Sequence, residues 1–158
     1  MKRLVVLCLL LALQACSRSE PLALSIRNDA PTIQPVHTTL YSNLREPRRM
    51  LIRDAETWAQ VWTEMISAGD PRTPPFVDFT KEDVIVAALG ERRSSGYSIT
   101  ITGVVADPLV AQVIVSTTVP GAACDQAEIV TAPLDAVRIT KLDAAVKFDE
   151  RTTLLNCD

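Results

Sequence analysis

From Tyr97 to Thr102 the side chains alternate, with Tyr97, Ile99 and Ile101 set against Ser98, Thr100 and Thr102. A period of two is a strand with one apolar and one hydroxyl-rich face. Leu109 to Val119 is a second β-branched run, and Asp107-Pro108 makes a turn before it. The two segments read as a β-hairpin with a loop longer than two residues. Val84 to Leu89 is apolar throughout and too short for a helix, so it reads as a central strand buried on both faces. Val36–Tyr41 and Met50–Arg53 read as two further strands around a turn at Asn43–Pro47, and short strands follow at Val137–Ile139 and Val146–Phe148. In one place the period changes. Trp58, Val61, Trp62 and Met65 fall at i, i+3, i+4 and i+7, one face of a helix. Asp54 is its expected N-cap, and Gly69 with Pro71 its expected stop. Pro74 to Phe79 reads as an extended connector whose apolar residues cover one end of the core.

These elements predict an α+β fold. It is a mainly antiparallel β-sheet, a small barrel or sandwich, with one amphipathic helix near its start. The two tryptophans are expected to anchor that helix; as a ligand platform they would need exposed rings. One domain fits the 158 residues, and the 47% hydrophobic content supports a sizeable core.

The N-terminus adds location. Lys2 and Arg3 precede an apolar run, Leu4 to Leu13, that is too short for a membrane-spanning helix of about 20 residues. Leu13-Gln14-Ala15-Cys16 closes it and resembles a bacterial lipobox. That resemblance implies cleavage before Cys16 and lipidation of Cys16, with residues 1–15 as a lipoprotein signal peptide. An ordinary cut near Ala15 would leave Cys16 a free thiol; the three-part layout favours the lipobox. Ser17 after the cysteine resembles the pattern of outer-membrane lipoproteins. Residues 16–35, polar and broken by Pro21, Pro31 and Pro35, read as a flexible tether, leaving 36–158 as the domain. The expected place is the outer membrane, with the protein lipid-anchored on its periplasmic face.

Removing residues 1–15 takes away Lys2 and Arg3 and no acid, so the formal charge of −3 becomes −5. A mildly acidic domain is a poor nucleic-acid binder. Arg45, Arg48, Arg49 and Arg53 do cluster, and read as the solvated edge of a strand. Cys124 and Cys157 remain as an even pair in an oxidising compartment, hence an expected disulfide. A metal pair would lack ligands, since His37 is the only histidine and lies far off in sequence.

Gly90 to Gly96, GERRSSG, brackets two arginines and two serines. It is one residue too long for a phosphate loop, and Tyr97 stands where lysine is required. Ser94 and Ser95 lack the first glycine of a nucleophile elbow and have no base nearby in sequence. The carboxylates at Asp78, Glu82 and Asp83, and at Asp149 and Glu150, carry no sign of the burial that splits a catalytic pair. No cofactor fingerprint is present. The stretch therefore reads as a connection between strands, with Gly90 and Gly96 free to take positive φ, Tyr97 turned to the core, and Arg92 and Arg93 on an exposed crest as candidate contacts.

The order Trp58…Trp62, Val77-Asp78-Phe79, Val84-Ile85-Val86, Leu89-Gly90, Gly96-Tyr97, Thr131-x-Pro133 and Val137-x-Ile139 resembles the PrcB C-terminal domain family, over about residues 56–141. The structural signature is Gly90, Gly96 and Tyr97. The resemblance implies a non-catalytic module of an envelope protein, an accessory subunit that associates with and supports a protease, with no family active site and no cofactor. A lipoprotein that binds a small ligand in a groove between helix and sheet is the alternative.

Overall fold

The computed structural model describes residues 31–157. The signal, Cys16 and most of the tether lie outside the described residues. The elements run β1 (Ile33–Thr39), β2 (Arg48–Ile52), α1 (Ala55–Met65), β3 (Glu82–Ala88), β4 (Ser98–Val105), β5 (Val110–Pro120), β6 (Leu134–Thr140) and β7 (Ala145–Leu155). They form two sheets. One has four antiparallel strands in the order β1-β6-β3-β2; the other has three, β4-β5-β7. Neither closes on itself, so the fold is a sandwich and not a barrel.

Alternation along β3 builds both halves of the core. Val84, Val86 and Ala88 join Ile52, Trp58, Trp62 and Met65 in one apolar cluster, on the helix side. Ile85, Ala87 and Leu89 join Ile99, Ile101, Val113 and Val115 in a second, between the sheets. Helix, four-stranded sheet and three-stranded sheet are thus three layers around a strand buried on both faces, which is why that strand reads as an unbroken apolar run.

The helix starts as its sequence predicts: the Asp54 carboxylate accepts from the Thr57 backbone N–H at 2.8 Å. It stops earlier than Gly69. Ile66 is already extended, and Asp70 accepts from Ser67 N–H and Oγ, a local turn that ends the helix before glycine is reached. Trp58 and Trp62 are 2% and 1% exposed. Their ring N–H groups donate to the carbonyls of Pro75 and Pro71, so the connector and the turn before it supply one acceptor each to the two indoles. Of the connector's apolar residues Val77 is buried and Phe79 packs on the core, but Phe76 is 85% exposed and covers nothing.

Two further expectations change. β1 begins at Ile33, inside the segment read as tether; it is an edge strand, and a bulge beside Pro35 lets it carry a residue without a backbone donor. The hairpin β4-β5 forms as expected, but β7 pairs parallel to β5 in unbroken register from Val110↔Ala145 to Pro120↔Leu155. The connection passes through β6 in the opposite sheet, so a strand supplies the crossover that parallel pairing needs in place of a helix. The Cys124–Cys157 disulfide is present and ties the loop after β5 to the end of β7.

Candidate functional site

The loop after β3 is built from its glycines outward. Gly90 has φ 75°, and a Cβ there would stand 2.6 Å from the Arg45 carbonyl oxygen. The same carbonyl accepts from Glu91 N–H at 2.8 Å, so the chain passes too close for any side chain. Gly96 has φ 91° and lies against Pro120 at the end of β5. Between them Arg92 and Thr131 exchange both backbone hydrogen bonds, an antiparallel bridge to the loop before β6.

The crest side chains divide. Arg92 is half-buried; its guanidinium sits 5.7 Å from the Tyr97 ring centroid and donates to the Glu91 carbonyl. It lies along the loop, with the Tyr97 ring and the Glu91 carbonyl as its neighbours. Arg93 is exposed. Ser94 Oγ donates to Gln126 Oε1 at 2.6 Å, and Ser95 Oγ accepts from Ala127 N–H at 2.9 Å. His37, the only imidazole, packs edge-on against Trp62 with Nε2 3.7 Å from Asp70. The serines and the histidine therefore answer to different neighbours, and no nucleophile–base pair forms.

Beside the crest lies an apolar patch that the sequence reading missed. Leu40 and Tyr41 at the end of β1, and Ile129 and Val130 before β6, are all exposed. Ala132 N–H donates to the Leu40 carbonyl, which brings the two segments together. An open cleft of about 210 Å³ lies among Tyr41, Asn43, Arg45, Glu91, Val130 and Thr131. No periodicity marks Ile129-Val130 in the sequence; two adjacent β-branched residues look like strand, and only the bridge at Thr131 reveals that they project from a loop.

Several other charges are engaged. Arg48 pairs with Glu64 at 2.6 Å, and Arg49 holds both oxygens of Glu150. Arg53 reaches the Leu142 and Ala144 carbonyls and Asp83. Arg48, Arg49 and Arg53 are thus cross-links along the β2 edge, while Arg45 is exposed as the sequence suggests. Asp83 is fully buried on β3, with Leu142 N–H donating to it and Lys141 3.6 Å away. Asp78 is held far from it in role: hydrogen bonds from the Thr80 hydroxyl, Lys81 and the Thr80 N–H lower its pKa to about 2. Among the described residues no three His, Cys, Asp or Glu side chains group closely enough to hold a metal ion. The buried tryptophans fill the interior between helix and sheet, and an open hollow of about 410 Å³ lies at its edge, among Asn43, Arg45, Arg48 on β2 and Glu64 on α1. Among the described residues no helix is long and apolar enough to cross a membrane.

Residues 84–140 match the family model described as PrcB C-terminal. The match runs from β3 through β6 and takes in Gly90, Gly96 and Tyr97; α1 and its tryptophans, counted in the sequence resemblance, fall outside it. No curated protein and no solved structure matches.

Proposed function

We propose, on the premise that residues 84–140 belong to the PrcB C-terminal family, that this protein is a non-catalytic envelope module acting by protein association, as an accessory or stabilising subunit of a protease complex. The family match is the observation that carries the reading. The contact surface is the crest at Arg93 with the apolar patch of Leu40, Tyr41, Ile129 and Val130, an apolar centre with an arginine at its rim. The module is anchored by lipid on Cys16 to the periplasmic face of the outer membrane.

In-cell cross-linking of the lipidated protein, followed by mass spectrometry, tests this. An envelope protease recovered in stoichiometric amount is the expected result, lost when Arg93→Glu and Val130→Asp are combined. Recovery of no protease overturns the accessory role. The anchor has its own readout: Cys16→Ala should move the protein out of the membrane fraction, and unchanged fractionation would remove the lipid from the account.

A further inference from the structure

Four sheet edges exist among the described residues, and three are blunted. β1 carries Pro35 and a bulge. β2 is five residues long, with Arg48 and Arg49 tied into ion pairs. β4 bulges after Ile101, whose N–H is already taken by the buried Asp135 carboxylate of the other sheet. Short strands, proline, bulges and covered donors are the devices that keep edges from pairing with another chain.

β7 is neither short nor bulged and has no proline; what it carries is charge, at Lys147, Asp149, Glu150 and Arg151, with Asp149 and Arg151 paired along the strand. It is eleven residues long, lacks proline, and holds an unbroken register on β5 throughout. Among the described residues no strand pairs with its outer side. Its last residues, Leu154 and Leu155, are 57% and 45% exposed.

We infer that this edge is a dimer interface, on which β7 of a second copy of this chain docks antiparallel about a two-fold axis at Glu150. The sequence of the strand argues for the second copy as occupant. Full overlap of residues 145–155 centres the axis on Glu150 and sets Asp149 opposite Arg151, twice by symmetry. It also sets Val146 opposite Leu154 and Ala145 opposite Leu155, which covers both exposed leucines. The two Glu150 carboxylates meet at the axis, each already neutralised by the two hydrogen bonds from its own Arg49. Neighbouring registers that keep the faces matched are worse. Centring on Asp149 sets Lys147 against Arg151, and centring on Arg151 sets that arginine against itself. The product is one six-stranded sheet across two molecules, closed by symmetry, with about ten new backbone hydrogen bonds. This interface is independent of the proposed protease association.

The test uses the full-length lipidated protein in detergent. Lys147→Cys and Thr153→Cys chains, opposite one another in this register, are oxidised separately and then mixed. The expected result on a non-reducing gel is a cross-linked heterodimer from the mixture and monomer from either chain alone. Arg151→Glu should weaken the dimer roughly tenfold or more by sedimentation, since both symmetric pairs become like-charged. Adding Asp149→Arg to that variant should restore it. A mixture that stays monomeric overturns the inference, whether the edge is empty or taken by residues 17–30 or another protein. Equal cross-linking of Lys147→Cys with Arg151→Cys overturns the register.

Discussion

At Gly90 a single methyl group would meet backbone: 2.6 Å to the Arg45 oxygen and 2.8 Å to the Glu46 carbonyl carbon, at a φ of 75°. Neither neighbour is a flexible side-chain tip, so the loop itself must shift. Gly90→Ala should cost about 2–3 kcal/mol in chemical denaturation, the sum of left-handed strain and a backbone clash. Gly69→Ala is the control. Nothing lies within 4 Å of a Cβ there, and the change should be neutral or stabilise by up to about 1 kcal/mol. Asp78 gives a residue-scale pH effect. Its carboxyl is lowered from 3.8 to about 2 by the Thr80 hydroxyl first, then Lys81 and the Thr80 N–H. A depressed acid contributes stability above its unfolded pKa and loses it as pH falls through the folded value. The stability gap between the parent and Asp78→Asn should therefore be full at pH 5 and shrink as the pH falls from about 4 toward 2. A gap constant over that range would show that the turn's hydrogen bonds do not favour the ionised form.

At the scale of elements, α1 depends on its cap and its stripe. Asp54→Ala removes the acceptor for Thr57 N–H and should cost about 1 kcal/mol, measured by urea unfolding. The cap, the stripe and the buried strand β3 were legible in sequence because each rests on local periodicity or on the chemistry of one residue. The partner of β7 was not. A period of two is the same in a parallel and an antiparallel strand, and the choice here depends on β6 crossing to the other sheet. Gly90 and Gly96 were legible as turn glycines, since only glycine takes positive φ without strain. The surroundings of Arg92 were not legible, because its stacking on Tyr97 goes with a bridge to Thr131, 39 residues along the chain. The patch at Ile129 and Val130 was invisible for the same reason: exposure of a loop residue is a tertiary fact.

The whole molecule is held across its layers by a few polar contacts and one covalent link. Asp135, 3% exposed on β6, accepts from Ile101 N–H of the other sheet and from the Thr38 hydroxyl of β1. Arg49 and Glu150 join the two sheets on the far side. The disulfide closes the remaining gap, between the loop after β5 and the end of β7, across 33 residues of sequence. In the chain-entropy account a loop of that length stabilises the fold by about 3–4 kcal/mol, through the unfolded state. The loop it holds also bonds to the crest at Ser94 and Ser95 and carries Ile129 and Val130. Replacing Cys124 and Cys157 together by serine should then do two separable things. Global stability should fall by about 3–4 kcal/mol in denaturant. Hydrogen exchange of the Ser95 and Ala127 amides should quicken by more than that global change accounts for, since the two hydrogen bonds between Ser95 on the crest and Ala127 on the released loop join one to the other. Loss of stability with no extra exchange at these amides would mean that the crest's own hydrogen bonds hold the loop, and that the disulfide acts on the unfolded chain alone.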